Sequence, residues 1–224
     1  MRIPLLTLVL SLIPARAPAA TLEQALAAID DSARTFREMS AKLTRIDYTA
    51  VIKDTSEENA SVRMRRNSRG EVSMVVEFGE PDQRTVVFEK AKLQVYYPKM
   101  ATVQVYDLGK QRALVDQFLL LGFGSSSAEL KRSYRIRVAG EEQIGGEPVT
   151  RLELTPVAAS AKQSLSKAEL WIAAAGYPLQ QKFSLPSGDY KLITYKGLRI
   201  NPGLAADAFA PKFPKGVKYE YPQK

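Results

Sequence analysis

The sequence predicts a mainly β protein of the α+β class, in which a strongly curved antiparallel sheet is covered by a helical lid. Two observations predict this fold. Apolar residues recur at helical spacing in two segments, 22–40 and 110–121, whereas most of the remaining chain alternates apolar and polar residues as strands do. Tight polar turns without helices join the alternating segments, so we expect an antiparallel meander rather than a parallel sheet.

The first helix is predicted to begin at a capping box. Thr21 supplies a hydroxyl at the N-cap and Gln24 an amide three residues later, which together satisfy exposed backbone donors. The apolar stripe that follows predicts an amphipathic helix to about Ser40. Its members are Leu22, Ala25, Leu26, Ile29, Ala33 and Phe36. The second helical segment, 110–121, includes Phe118 and ends at the Gly-Phe-Gly sequence 122–124.

Strand periodicity predicts roughly nine to eleven strands after the first helix. The alternating segments lie at 46–53, 71–78, 93–97, 103–105, 134–138, 152–154, 168–172, 179–185 and 190–198, and a polar turn is predicted at 54–59. Each predicted strand has one apolar face, so one side of the sheet faces solvent and the other is buried. A sheet of this size must curl or be covered, and the two helices are the available covers.

The composition excludes many kinds of active site. The 224-residue chain has no cysteine and no histidine. It therefore cannot form a thiolate or imidazole metal site, a Ser-His or Cys-His nucleophile pair, or a disulfide bond. The adjacent carboxylates at 30–31 and 57–58 point apart, which suits solvent rather than a shared acid and base. We therefore expect no catalytic residue, no cofactor and no metal.

The N-terminus has the pattern of a secretory signal peptide. Arg2 precedes an uncharged segment and then Ala17, Pro18 and Ala19, which predicts a signal peptide over 1–19 with cleavage after Ala19. The apolar segment is shorter than the roughly 20 residues that a membrane span needs. A single domain is predicted over 20–224, located outside the cytoplasm.

The net charge of +8 would suit a nucleic acid, an anionic lipid or an acidic protein. The basic residues are scattered, however, and their one cluster consists of Arg63, Arg65, Arg66 and Arg69. Because a secreted protein does not meet chromosomal or messenger nucleic acid, we expect no nucleic-acid partner and interpret the charge as solvated surface. Nothing in the sequence predicts an oligomer, so a monomer is expected.

Several passages resemble the periplasmic outer-membrane lipoprotein carrier family, the LolA-like proteins. The Gly-Glu-Pro-Asp sequence at 79–82 leads through the Val-Val-Phe sequence at 86–88 to a strand at 93–97 that ends in Tyr-Tyr-Pro. The C-terminal passage 201–217 resembles the ending of the family's sequences, and 110–121 lies where the family has its second helical cover. The resemblance spans essentially the whole chain after residue 19.

The resemblance implies an incomplete β-barrel closed by helices, whose cavity takes the acyl chains of triacylated lipoproteins. It implies a soluble periplasmic carrier that receives lipoproteins from an inner-membrane ABC release complex and delivers them to an outer-membrane acceptor. It also implies that Arg65 or Arg66 holds the lid shut, although Asn67 stands where the family usually has a proline. A carrier or sensor of another lipid, such as a glycerophospholipid or glycolipid, remains an alternative.

The same interpretation predicts which side chains line the acyl cavity. The helices contribute Leu22, Leu26, Ile29 and Phe118, and the strands contribute Met74, Val76, Phe78, Val86, Phe88, Leu93, Val95, Leu170, Ile172 and Phe183. Alternation alone does not distinguish a cavity from a filled core, because both need the same residue types. An interaction module with a filled core and no ligand therefore also remains open.

Overall fold

The computed structural model describes residues 21–109 and 121–222. The first helix, α1, spans Leu22–Thr35 and begins at the predicted capping box, with Thr21 and Gln24 each accepting from the other's backbone N–H. It ends before the expected Ser40, because Phe36 is already extended and the chain enters a strand two residues later. Two shorter α-helices follow within the described residues, α2 (Ser127–Ser133) and α3 (Ala159–Lys162).

In the part of the chain that the structure describes, twelve strands form one sheet, slightly more than the expected nine to eleven. They are β1 (Glu38–Thr49), β2 (Asp54–Arg66), β3 (Val72–Phe78), β4 (Arg84–Glu89), β5 (Lys92–Tyr97), β6 (Thr102–Asp107), β7 (Tyr134–Ile144), β8 (Glu147–Pro156), β9 (Lys167–Ala173), β10 (Pro178–Ser184), β11 (Tyr190–Ile200) and β12 (Lys218–Glu220). Their order is β12-β6-β5-β4-β3-β2-β1-β11-β10-β9-β8-β7. All pairings are antiparallel except that of β12 with β6. The sheet is curved and open, which confirms the predicted fold class.

The polar segment 54–59 is a strand and not the predicted turn. It forms the first half of β2 and pairs with β1 from Thr49 opposite Asp54 onward, so the turn lies at 50–53. β3 joins β2 only from Ala60 onward. The first half of β2 therefore projects beyond its neighbour into solvent, which explains why it has no apolar face and was not recognisable as a strand.

Helix α1 packs on the concave face of the sheet at β7 to β10. Ile29 of α1 and Leu152 and Leu170 of the strands have no exposed surface and belong to one apolar cluster. A second apolar cluster lies on β1 to β4 and includes Phe36 and Phe123. The concave face thus contains two adjoining apolar regions, one of them directly beneath α1.

The C-terminal segment crosses the opposite, convex face at β2 and β3. Arg63 donates from Nε to the Ala208 carbonyl at 3.1 Å, and Arg65 donates to the Leu204 carbonyl. Phe209 is buried there, with the Arg65 guanidinium 4.4 Å from its ring centre. The chain then reaches β6, where it adds β12.

Candidate functional site

A cavity of about 500 Å³ lies in the concave face beside α1, at the second apolar cluster. Ligand pockets in proteins commonly have volumes of roughly 300–1,000 Å³. The apolar lining residues are Met39, Leu43, Val62, Met64, Met74, Val76, Phe78, Val86, Phe123, Leu165, Phe183, Leu185, Ile193 and Tyr195. The polar ones are Arg45, Ser164, Gln181 and Lys191. This lining is suited to an apolar ligand or to the apolar part of an amphiphile.

The inner end of the cavity is neutral and well buried. Met39 and Phe123 are each 1% exposed there. Gln181 donates to the Leu121 carbonyl and accepts from the Tyr195 hydroxyl at 2.7 Å, so its amide is satisfied within the protein. Burial raises the pKa of Tyr195, which keeps its hydroxyl protonated. An apolar chain at this end would meet no unpaired charge.

The outer end of the cavity carries a charged network, which we call the mouth network: Arg45, Asp47, Glu58, Arg84 and Lys191. Arg84 donates to both oxygens of Glu58 at 2.6 and 2.8 Å. Arg45 donates to Asp47, and Lys191 donates to the same carboxylate at 3.1 Å. The Lys191 side chain is 49% exposed. Exposure therefore increases toward this end, which is where the cavity opens.

The carboxylates of the mouth network are held ionised by their partners. Hydrogen bonds from Arg84 are the main cause of the lowered pKa of Glu58, and they outweigh the opposing effect of burial. Burial alone would raise the pKa of Asp47, but hydrogen bonds and charge from Arg45 and Lys191 outweigh it and lower the pKa. Arg84 also stacks on Phe78, 3.9 Å from its ring centre, so the network is packed against the cavity wall.

The two candidate lid arginines lie on opposite faces of β2. Arg66 is on the concave side and donates from Nη1 to the Gly124 carbonyl at 2.6 Å, in the loop that directly follows residues 110–120. Arg65 is on the convex side, where it pairs with Glu38 at 2.7 Å and contacts the C-terminal segment. Of the two, Arg66 is therefore the one that reaches the loop next to the predicted second cover.

The structure brings together only part of the predicted lining. Five predicted residues lie on the cavity wall: Met74, Val76, Phe78, Val86 and Phe183. Leu26, Ile29, Leu170 and Ile172 are in the filled cluster beneath α1, and Leu22 packs against it. Phe88 is buried in the second cluster with Leu93 packed against it, and Val95 is buried on β5. Phe118, the rest of 110–120 and the predicted signal peptide lie outside the described residues.

Sequence reasoning missed the contribution of β1, β2 and β11 to the wall. Met39, Leu43, Val62, Met64, Ile193 and Tyr195 line the cavity, and none was predicted to do so. The alternation of Met39, Ala41 and Leu43 indicates the first half of β1. It was not recognised because the first helix was expected to continue to Ser40. In β1 the apolar residues Ile46 and Tyr48 lie on the opposite face of the strand from the lining residues Leu43 and Arg45.

Two further properties of the described residues bear on function. None of the helices in 21–109 and 121–222 is long and apolar enough to cross a membrane. Within the same residues, no group of three acidic side chains is placed to hold a metal ion.

Solved structures with similar folds include MucB, with 18% identity and a TM-score of 0.52 over 85% of this chain and 62% of MucB. An uncharacterized conserved protein from Thermus thermophilus has 15% identity and a TM-score of 0.55, over 87% of this chain and 97% of that one. The Mycobacterium tuberculosis lipoprotein LppX has 17% identity and a TM-score of 0.52, over 84% of this chain and all of LppX. The chain spans less than two thirds of MucB, and at these identities the likeness shows the fold alone.

The sequence itself identifies the family. A search of curated proteins found no match to the chain. The family described as outer membrane lipoprotein carrier protein LolA, however, matches residues 73–212, which is more than half of the chain and runs from β3 into the C-terminal segment. Members of this family are carriers or binding proteins of the bacterial envelope rather than enzymes. On this match, and with the open curved sheet that accompanies it, the chain belongs to the LolA family of outer membrane lipoprotein carrier proteins.

Proposed function

We propose that the chain is a soluble periplasmic carrier that shields the acyl chains of triacylated lipoproteins in its cavity and transfers them from the inner to the outer membrane. The observation that carries the proposal is the apolar cavity of about 500 Å³ in the concave face, neutral at its inner end and open at the mouth network. Family membership supports the lipoprotein as cargo.

The physical need for such a cavity follows from the cost of hydrating acyl chains. Each buried CH₂ contributes about 0.8 kcal/mol, so a lipid anchor does not cross an aqueous compartment unprotected. Met74, Val76 and Phe78 offer it an apolar wall. Because no charged side chain lines the inner end, binding depends on burial alone, and a partner that opens the cavity can release the cargo.

The proposal assigns a role to the loop at 121–124. Arg66 binds this loop through the Gly124 carbonyl, and Phe123 of the loop forms part of the cavity wall. We propose that Arg66, through this loop, holds the cover of the inner end shut. Cargo entry would then require this hydrogen bond to break.

The route that we propose has three further parts. Residues 1–19 are a signal peptide that is cleaved after Ala19, which places residues 20–224 in the periplasm. An inner-membrane ABC release complex supplies the lipoprotein, and an outer-membrane acceptor takes it. The carrier acts as a monomer and binds no nucleic acid.

Binding of a synthetic triacylated lipopeptide to residues 20–224 tests this function, with native mass spectrometry as the readout. We expect Met74→Gln to weaken binding about tenfold or more, because the amide brings an unpaired polar group to the wall that contacts the acyl chains. Ile46→Gln is the matched control, since Ile46 belongs to the opposite face of β1, and it should bind as the unaltered protein does. Equal binding by both variants would remove the cavity from the proposal.

The mass of a ligand that copurifies with the protein, isolated gently from the periplasm without detergent, identifies the cargo. An adduct with the mass of a triacylated lipoprotein supports the proposed carrier. A phospholipid-sized or glycolipid-sized adduct would instead support the alternative, a carrier or sensor of another lipid on the same fold. A chain that stays bare after incubation with lipopeptide would contradict both and leave a protein-interaction module.

A further inference from the structure

Four large apolar side chains are exposed on the turns and loops that connect the strands. Val51 is 87% and Ile52 67% exposed at the β1–β2 turn, Met100 is 60% exposed at the β5–β6 turn, and Val157 is 49% exposed in the β8–β9 loop. Single exposed apolar residues are common on protein surfaces and need no explanation. Their arrangement in this fold, however, does require an explanation.

All four residues lie at the same end of the sheet. In the antiparallel ladder, β1, β5 and β8 run toward this end and β2, β6 and β9 run away from it. The connections at the opposite end lie at 67–71, 90–91, 145–146 and 174–177. Among the described residues, no exposed large apolar side chain lies on those four connections. Among the strand connections, the exposed large apolar residues are therefore segregated to one end, whereas Tyr219 and Tyr221, each 49% exposed, lie on β12 and directly after it.

This end is also the one at which the cavity opens. The β10–β11 turn lies there, and Leu185 and Lys191 on either side of that turn line the cavity. The most exposed part of the cavity wall thus faces in the same direction as Val51 and Ile52. We call this surface, formed by the connections that carry the four residues, the apolar rim.

The β1–β2 tip is held in place rather than loosely attached. The Ala50 N–H donates to Asp189 Oδ1 at 2.8 Å, which ties the tip to the β10–β11 turn. One residue pair further in, the rings of Tyr48 and Tyr190 stack with their centres 5.0 Å apart. Turns of this kind favour glycine, asparagine, aspartate and proline. Two β-branched apolar residues at the tip break that rule, which points to a functional use of their exposed surface.

The charges around the apolar rim are close to balanced. On the five connections at this end (50–53, 79–83, 98–101, 157–166 and 185–189) and the strand residues that flank them, the basic residues are Lys53, Arg84, Lys99, Lys162 and Lys167. The acidic ones are Asp54, Glu80, Asp82 and Asp189. Lys99 is already paired with Glu80 at 3.1 Å. The rim therefore has no strong positive field that would select anionic partners.

We propose that the apolar rim docks on a lipid bilayer, with Val51, Ile52, Met100 and Val157 inserted at the level of the headgroups and the cavity mouth facing the membrane. A bilayer suits this surface because the side chains lie on three connections separated by intervening strands, and a fluid interface accommodates separate tips. A stable protein partner would instead need one continuous patch, of about 800 Å² on each side. The proposal does not depend on which lipid the cavity carries.

Vesicle flotation of residues 20–224 without cargo tests the docking. We expect binding to phosphatidylcholine vesicles that changes less than about twofold when phosphatidylglycerol is added or salt is raised, because the rim is apolar and its charges are balanced. Val51→Asn combined with Ile52→Gly provides residues that suit a turn and should weaken binding about tenfold or more. Tyr221→Ser is the control, since Tyr221 is 49% exposed but follows β12, which runs away from this end.

Undiminished flotation of the double variant, at an unchanged melting temperature, would overturn the proposal. Binding that requires phosphatidylglycerol and disappears at high salt would overturn it in favour of electrostatic adsorption. Because docking is measured without cargo, its failure leaves the carrier function intact, and failure of lipopeptide binding leaves docking intact.

The absence of native cysteine allows a second, site-specific measurement. An environment-sensitive fluorophore on Ile52→Cys should shift its emission to the blue when phosphatidylcholine vesicles are added, and the same label on Lys90→Cys at the opposite end should not. Equal shifts at the two positions would contradict a specific orientation. A shift at Ile52→Cys that grows with protein concentration and needs no vesicles would show that the rim binds a second copy of the chain instead.

Discussion

Beneath α1, the concave face of β7 to β10 is filled, and Leu152, Leu154 and Leu170 have no exposed surface. Beside it, the concave face of β1 to β4 carries apolar residues of similar kind, such as Met74 and Val76, but these border a cavity of about 500 Å³. The alternation of each strand determines which face is apolar. Whether that face becomes core or cavity depends on how closely another element covers it.

Helix α1, the cover of the filled half, is attached by hydrogen bonds to backbone carbonyls. Ser32 in α1 donates to the Gly176 carbonyl at 3.1 Å and its own carbonyl accepts from Tyr177, so the β9–β10 turn holds the helix in place. A side chain at Gly176 would bring its Cβ within 2.0 Å of the Ala28 carbonyl oxygen. Only glycine permits this approach, which brings α1 close onto the β9–β10 turn.

The largest effect that we predict separates the two halves directly. Leu170→Ala should lower the free energy of unfolding by about 2–5 kcal/mol, because it opens a hole among side chains that have no exposed surface. Met74→Ala should cost no more than about 1 kcal/mol, since Met74 is half-buried and already borders empty space. Urea unfolding of both variants measures the difference. Equal losses would mean that the two halves are packed alike.

A second, smaller effect concerns the mouth network, which borders the outer end of the cavity. Glu58→Gln should lower the free energy of unfolding at pH 7 by about 1–2 kcal/mol, because Arg84 loses a bidentate carboxylate. Glu77→Gln is the matched control on the convex face, where Arg63 pairs with a more exposed carboxylate, and it should cost less than about 1 kcal/mol.

The pH dependence of stability tests whether the contribution of Glu58 comes from its charge. The pKa of Glu58 is lower in the folded protein than in an unfolded chain, so its stabilisation is present above the unfolded pKa of about 4.3 and is lost as the pH falls. Stability of the unaltered protein should therefore decrease below about pH 4, and the deficit of Glu58→Gln should shrink over that range. A deficit that stayed constant down to pH 2 would show that the effect comes from packing rather than charge.

Much of this fold could be predicted from residue patterns, and the exceptions have identifiable causes. The capping box at Thr21 and Gln24 is a local signal that no tertiary contact opposes. The first half of β2 could not be recognised, because it projects into solvent and its hydrogen bonds to β1 leave no trace in the pattern of apolar residues. The end of α1 was misplaced because Met39 fits a helical stripe as well as it fits a strand.

The candidate site was harder to predict than the fold. Phe78 and Leu170 both alternate correctly in strands, yet one lines the cavity and the other lies in the filled half. Their difference arises from the position of α1, which depends on contacts between residues far apart in sequence, such as Ser32 and Gly176. The mouth network also depends on contacts between distant residues, since Arg45, Glu58 and Arg84 lie on three strands and meet only when these strands pair in register.

The smallest effect concerns the cover of the open half at its inner end. Arg66→Ala should increase hydrogen exchange of the backbone amides at 121–126 about fivefold, because the Gly124 carbonyl loses a charged donor in a contact worth about 1 kcal/mol. Arg65→Ala should leave that loop unchanged and increase exchange at 203–210 instead, since Arg65 holds the C-terminal segment. Two adjacent arginines would thus control opposite faces of the sheet. If Arg65→Ala loosened 121–126, or if Arg66→Ala did not, the cover of the cavity would have to be held by contacts other than the one from Arg66 to Gly124.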